Sequence, residues 1–331
     1  VQVTKVPTDV RQSDTSVLTG AARVGVDRAS VFNLASTAGL NAVITRRLPK
    51  VGFLTTGGHR DVLDAGTLAR PSADLTNPRW RRSFSDGSAP LVPRYLRRGV
   101  KERITATGEI FIPLDENEAR EQIRVLQKCG VQGIAIGLLN SYVNPVHEYR
   151  LREIVREELG DIPMSLSSEV SPVAREYGRF TTTVVDVVMR LLYGAYTKRL
   201  ADGLEGLGFG GQFNYADCRA MLMPAEHAME RPHLLVVGGP AAGTVACSHF
   251  GAVIGDGNLL CADAGGTSLD LSLVVDGKGW VNSTFELEFD LHVNALSTDV
   301  ITLGAGGGSI VSIAPTGEVR VGPDSAGADP G

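Results

Sequence analysis

The sequence predicts an α/β fold. Between Asp115 and Leu204, segments with helical periodicity alternate with short, wholly apolar runs of strand length. In the last third, further apolar runs end in the glycine clusters Gly238-Gly239, Gly265-Gly266 and Gly304–Gly308. Glycine at a strand end marks tight backbone or the close approach of a ligand. With 331 residues, 43% of them hydrophobic, the chain is long enough for about two domains with real cores.

In chain order, a helix is expected over Ser30–Arg47, then a short strand, Val51–Thr55, ending in Thr-Thr-Gly-Gly. Arg70–Arg103 carries Pro71, Pro78, Pro90 and Pro93 among Arg79-Trp80-Arg81-Arg82 and Arg97-Arg98, and reads as an irregular, solvated connection. Asp115 can cap a helix to about Lys128, with Ala119, Ile123 and Leu126 on one face and Gly130 just past its end. Val131–Leu139 is a buried strand, and Asn144-Pro145 supplies the N-cap and first position of a helix to about Leu159. Pro163–Ser168 is a short strand. Thr181–Leu204 is a long helix, with Val184, Val187, Val188, Leu191 and Leu192 at helical spacing and Arg175–Thr183 as its polar approach.

A second unit is expected near Gly208–Gln212, dividing the chain into 1–207 and 208–331. Within it, His233–Val237 reads as a strand running through Gly-Gly-Pro into a helix, Ala241–Phe250. Asn258–Ala262 and Leu269–Val275 read as strands, and Asp276-Gly277 as a hairpin turn. Ser309–Ala314 and Glu318–Gly322 form one more hairpin, joined at Pro315-Thr316-Gly317.

The balance of 32 Lys+Arg against 37 Asp+Glu, a formal charge of −5, argues against a protein that lives by binding nucleic-acid phosphates. No apolar run reaches the roughly 18–20 residues of a membrane-spanning helix. No secretory signal opens the chain, and the start at Val1 leads us to expect a natural N-terminus further upstream. Cys129, Cys218, Cys247 and Cys261 are widely spread with no CxxC pair, which reads as reduced, buried thiols of a cytoplasmic protein.

The sharpest chemical signal is Asp263-Ala264-Gly265-Gly266-Thr267-Ser268-Leu269-Asp270, between two strand-like runs. Gly265 and Gly266 let backbone N–H groups face a concavity, and Thr267 and Ser268 add hydroxyl donors, which is how a loop holds phosphate oxygens. Asp263 or Asp270 can then hold Mg²⁺, and we assign the metal to Asp263. The bland alternative is a turn whose aspartates cap it. A second signal, Gly304–Ser309, has glycines at Gly306, Gly307 and Gly308 that admit a flat ligand such as adenosine. The third, Gly238-Gly239-Pro240, is neither GxGxxG nor a P-loop; a helix-opening turn explains it as well as a ligand role for Gly239 does. His59, His147, His227, His233, His249 and His292 form no metal motif and read as structural side chains.

Together these segments resemble the hydantoinase A/oxoprolinase family. The resemblance rests on Val51–Gly58 with Asp61-Val62-Leu63, on Ser141–Glu148, on Ser167–Val170, and most of all on Gly239-Pro240-Ala241, Asp263–Asp270, Gly304–Ser309 and Val321–Gly331. It implies an actin-like ATPase (ribonuclease H-like) two-lobed fold, with ATP and Mg²⁺ held between the lobes. Asp263 and Asp270 would be catalytic, Gly265–Ser268 a second phosphate loop, and Gly306–Gly308 the adenosine-side turn. The family's first phosphate loop is not found, so the resemblance also implies a partial chain whose isolated form hydrolyses ATP poorly. Asp217–Pro224 stands where members often carry Ser-Asn-Gly-Gly, and Ser36-Thr37-Ala38-Gly39 departs from a common Thr-Thr pair. These differences favour the ketone carboxylase branch, whose nucleotide-binding subunits serve acetone and acetophenone carboxylases, over cyclic-amide hydrolases of the hydantoinase and 5-oxoprolinase type.

The resemblance further implies a hetero-oligomer with a hydantoinase B-type subunit, possessing a second divalent metal of its own. The substrate would be a small carbonyl compound, with no nucleic acid and no membrane involved. A non-catalytic, actin-like nucleotide switch is the alternative from another class.

Overall fold

A computed structural model describes residues 2–7, 12–44, 46–66, 90–266, 268–288, 291–303, 305–313, 317 and 319–326. Thr267, Gly304, the Arg79-Trp80-Arg81-Arg82 run, the Pro315-Thr316 turn and the last residues of the Val321–Gly331 match lie outside the described residues.

After α1 (Ser13–Arg23), the segment expected as one helix over Ser30–Arg47 is instead a strand, β1 (Val31–Leu34), and a short helix, α2 (Ala38–Ile44). The cause lies far along the chain. Val31–Leu34 pairs in parallel with Gln212–Tyr215, and Asn214 Nδ2 donates to Asn33 Oδ1 at 2.9 Å. A partner so distant overrides local helical spacing.

Next come β2 (Val51–Thr56), α3 (Val62–Ala65), β3 (Arg97–Val100), β4 (Arg103–Ile104), β5 (Ile110–Ile112), α4 (Glu116–Lys128), β6 (Gly133–Gly137), α5 (Val146–Leu159), β7 (Met164–Leu166) and α6 (Ser167–Val170). Strands β3-β2-β6-β7 form one wholly parallel sheet in that order. Both faces are covered, so its central strands read as continuous apolar runs. A Cβ on Gly52 would meet Leu126 of α4 at 2.9 Å, whereas one on Gly133 would meet Val187, on the long helix described next, at 2.7 Å. Arg97, expected in a solvated loop, is buried in β3. Its Nε donates to Val92 O, and its two terminal nitrogens fork onto Asp64 at 2.7 Å each. Asp115 caps α4 as expected, accepting from Glu118 N–H at 3.1 Å. Helix α5 starts one residue later than expected: Pro145 is the cap, and Asn144 Oδ1 accepts from Val146 N–H. The strand expected to Ser168 stops at Leu166, because Glu148 draws in both the Ser167 hydroxyl and the Ser168 N–H.

The long helix, α7 (Glu176–Gly206), begins five residues before the expected Thr181. The supposed polar approach is helix: Thr181, Thr182 and Thr183 hydroxyls donate to the carbonyls of Tyr177, Gly178 and Arg179, four residues back. Phe180 meets Phe53 of β2, ring centroids 5.4 Å apart.

Then follow β8 (Gln212–Ala216), β9 (Leu222–Pro224), α8 (Ala225–Ala228) and α9 (Gly238–Ile254). The expected strand His233–Val237 is a 3-10 turn over Pro232–Leu235 that runs into α9. Pro232 sits at the turn's start and Asp186 of α7 holds the His233 ring, so the backbone coils here instead of extending.

The rest of the chain is β: β10 (Leu259–Ala264), β11 (Leu269–Val275), β12 (Lys278–Gly279), β13 (Val281–Asn282), β14 (Phe285–Glu288), β15 (Leu291–Val293), β16 (Ser297–Thr298), β17 (Val300–Leu303), β18 (Ser309–Ile313) and β19 (Val319–Ser325). Asp276-Gly277 makes the expected two-residue turn, both residues at positive φ, and β18 pairs with β19 antiparallel. On β11 the alternation has a surprising sense: Ser272 and Val274 are buried, while Leu273 and Val275 are exposed.

One hydrophobic core takes in Phe53, Ile134 and Val187 together with Phe285 and Val293, and β1 pairs with β8, both across the expected division at 207/208. Among the described residues, no helix is long and apolar enough to cross a membrane. All four cysteines are free; Cys218 and Cys261 are buried, but Cys129 and Cys247 are only half-buried.

Two predictions follow from the buried polar groups. Asp186 accepts from Ser165 Oγ at 2.6 Å, from His233 Nδ1 at 2.6 Å and from Arg190 at 3.1 Å. Burial alone would raise its carboxyl, yet these partners hold it below the usual carboxylate value. Its contribution is therefore complete above the unfolded carboxylate range and is lost as pH falls through the lower folded value. Asp186→Asn should cost roughly 3–5 kcal/mol in urea unfolding and remove that acid-dependent component; an unchanged midpoint would refute it. Burial pushes the Cys218 thiol up to about 12. Iodoacetamide at mild alkaline pH should therefore modify Cys129 and Cys247 in the native protein and reach Cys218 only after unfolding, as read by mass spectrometry.

Candidate nucleotide site

Strands β10 and β11 pair so that Asp263 stands opposite Asp270 and Cys261 opposite Ser272. Directly opposed residues share a face of the sheet, their Cβ atoms about 4.5–5.5 Å apart. The register thus brings two carboxylates together at the mouth of the loop Gly265–Ser268, which closes on itself through Gly265 N–H to Ser268 O at 2.8 Å. Asp263 is exposed and Asp270 half-buried. Thr302 on the neighbouring strand β17 donates to Asp270 Oδ1 at 2.7 Å, orienting that carboxylate.

The two glycine motifs are joined. Gly307 N–H donates to Gly265 O and Gly308 N–H to Gly266 O, each at 2.9 Å. Gly306 N–H donates to Ser309 Oγ at 2.9 Å, which fixes the second turn. A Cβ added to Gly266 would meet no atom within 4 Å, so this residue faces open space at the tip.

Helix α9 covers the aspartate face. Pro240, Gly243, Thr244 and Cys247, spaced as one helical stripe, line a cavity of about 220 Å³ with Cys261, Asp263, Asp270 and Ser272. A Cβ on Gly243 would lie 3.7 Å from Asp263 Oδ2. Thr244 and Ser272 hydroxyls are 2.7 Å apart, and Cys247 of α9 and Cys261 of β10 both line the cavity. This wall escapes a reading made motif by motif. Its signal is the period of α9, small residues at positions 240, 243, 244 and 247, set against the period-two row 261, 263 and 270, 272.

Of the residues singled out in the sequence, Asp263, Asp270, Gly265, Gly266, Ser268, Gly306, Gly307 and Gly308 come together here. Gly239 does not join them: in the first turn of α9, a Cβ on it would meet Thr37 Cγ2 at 3.0 Å, so it packs against the loop before α2. Thr267 is outside the described residues. None of the residues lining the cavity is cationic. Two carboxylates beside a polyphosphate would repel it without a cation between them, which fits Mg²⁺. Among the described residues no group of three or more His, Cys, Asp or Glu could hold a metal. Two carboxylates suit Mg²⁺, which completes its shell with phosphate and water oxygens.

Comparison with known proteins identifies the family. The hydantoinase/oxoprolinase family model matches residues 179–331, and the model of the hydantoinase/oxoprolinase N-terminal region matches residues 1–159. The acetophenone carboxylase gamma subunit of Aromatoleum aromaticum is 33% identical over 92% of this chain and 42% of its own length. A nucleotide-free structure of acetone carboxylase superposes with a TM-score of 0.82 at 28% identity, over 96% of this chain and 47% of that one. The ATP-dependent caprolactamase from Pseudomonas jessenii gives 0.78 at 32% identity, over 100% and 48%. The chain spans about half the length of the relatives it matches. With its α/β fold shared with both enzymes and both family regions present in order, the chain belongs to the hydantoinase/oxoprolinase family.

Proposed function

We propose that this chain binds ATP at the Asp263–Asp270 loop, as the nucleotide-handling subunit of an enzyme that activates bicarbonate or a ketone enolate for carboxylation to a β-keto acid. The observation that carries the reading is the pairing of the two glycine turns, Gly307 to Gly265 and Gly308 to Gly266, beside the opposed Asp263 and Asp270. This pairing supports the reading because it sets a glycine rim beside two carboxylates, the combination that phosphates with a bound cation would require.

In phosphoryl transfer most of the catalysis is positioning and charge neutralisation. The Gly266 backbone N–H and the Ser268 hydroxyl would hold phosphate oxygens, whereas the Gly265 N–H is spent on Ser268 O and shapes the loop. Asp263 would hold Mg²⁺, which neutralises the phosphates when bound, and Asp270, steadied by Thr302, would orient the attacking oxygen. The γ-phosphoryl group of ATP would pass to an oxygen of bicarbonate or the enolate as its bond to the β,γ-bridging oxygen breaks and ADP leaves, and the activated species would react onward with loss of phosphate. A hydantoinase B-type partner subunit would complete carboxylation; the acetophenone carboxylase relative is itself one subunit of its enzyme. The likeness to caprolactamase, at higher identity than to acetone carboxylase, supports a second reading, ATP-driven opening of a cyclic amide.

The two are separated by nucleotide analysis on the complete native complex. Ketone plus bicarbonate should drive ATP cleavage and a cyclic amide should not; stimulation by the amide alone would assign the second reading, and stimulation by neither would reject both. In the same complex, Asp263→Ala should lower ATP cleavage by about 100-fold or more with assembly intact, whereas a nucleotide switch would show no substrate-dependent cleavage to lose. Gly266→Val should weaken ATP binding with little change in melting temperature, because the added side chain meets no protein atom but occupies the phosphate approach.

A further inference from the structure

The Thr55-Thr56-Gly57-Gly58 motif has no part in the nucleotide site, and its surroundings have a chemistry of their own. Strand β2 comes first in its parallel sheet, with β3 on one side and β6 on the other. In sheets that grow in both directions from their first strand, ligands bind beyond the carboxyl ends of the strands near that point. At this edge, bordering β2 and β3, lies a cavity of about 510 Å³, within the range of small-molecule sites.

Its floor is backbone. Gly57 N–H donates to Val100 O at 2.8 Å, and a Cβ on Gly99 would lie 3.1 Å from Gly57 Cα, so the turn rests closely on β3 where any side chain would press it away. Gly58 follows at φ 86° with nothing within 4 Å of where a Cβ would be.

Its walls carry three guanidinium groups. Arg94 is spent on a two-pronged pair with Asp61, at 2.8 and 3.0 Å, and that arginine holds the Asp61 carboxyl below its usual value. Arg98 gives Nε to Gln122 Oε1 at 2.7 Å, a neutral partner that leaves its charge unbalanced. Arg60 makes no side-chain hydrogen bond or ion pair among the described residues. The remaining acid, Glu118, accepts from Lys101 N–H. Arg60 and Arg98 are both half-buried. Two partly desolvated guanidinium groups without a carboxylate of their own, over a glycine floor, make a receptor for a planar or tetrahedral oxyanion.

We propose that this cavity is a second ligand site, which takes a small molecule by a carboxylate or phosphate group held between Arg60 and Arg98. None of its lining residues lines the nucleotide cavity, so the site stands whether or not the ATP reading does.

The test is calorimetric titration of the full-length protein with inorganic phosphate, acetate and bicarbonate, each with and without saturating ATP. The wild type should bind at least one of the three, more weakly as salt rises, and ATP should not compete. Arg60→Ala and Arg98→Ala should each weaken that binding by about tenfold or more and leave ATP affinity unchanged. Arg60→Lys should recover part of it. The Arg60 side chain holds no other described residue, and the Arg60 carbonyl that accepts from Arg97 remains in the alanine variant, so that variant keeps the fold, which an unchanged melting temperature checks. Binding of none of the three ions, wild-type affinity in both alanine variants, or displacement of the ion by ATP would each overturn the proposal. Preference for phosphate, acetate or bicarbonate identifies which oxyanion the site is built for.

Discussion

The carboxylate of Asp186, buried inside α7, is the interaction on which the rest of the structure depends. It takes Ser165 from the parallel sheet and His233 from the turn before α9, as well as Arg190 one helical turn along. A carboxylate without solvent must be satisfied by the protein, so these three elements are locked to one another. The 3-10 turn at Pro232–Leu235 exists because of that lock, and α9 starts from the turn. Helix α9 in turn forms one wall of the nucleotide cavity, so a charge far from Asp263 sets where that wall stands.

The nucleotide site itself is a matter of register. With a side-chain period of two, pairing β10 to β11 one residue out would turn one aspartate to the opposite face. The actual register keeps Asp263 and Asp270 together under α9 and turns Leu273 and Val275 outward. The backbone bonds between the Gly265-Gly266 and Gly307-Gly308 turns make one rim of two loops that lie about forty residues apart in sequence. The oxyanion cavity follows a different logic: a rigid parallel sheet with glycines at its strand ends and arginines around them, on elements that share no lining residue with the nucleotide cavity.

Much of this was legible in the residues. Helices α4 and α5, strand β2 and the Asp276-Gly277 turn were readable because capping, periodicity and turn chemistry are local. The errors share one cause. Val31–Leu34 is a strand only because Gln212–Tyr215 lies beside it; His233–Val237 is not a strand because Asp186 holds His233; Arg97 is buried because Asp64 receives it. Gly239 looked like part of a ligand motif and packs on Thr37 instead, since neighbours in sequence on a helix point in different directions.

By itself, the sequence determined the α/β class, the two aspartates flanking a glycine loop, the second glycine turn and the family they resemble, because each is written in contiguous residues. Only the tertiary structure decided that the two glycine turns bond to each other, that α9 presents Gly243, Thr244 and Cys247 to the aspartates, and that Arg60 and Arg98 share a cavity. Those are relations between distant segments. They are set by strand register and by buried charges that must find partners, and neither is encoded at any single position of the chain.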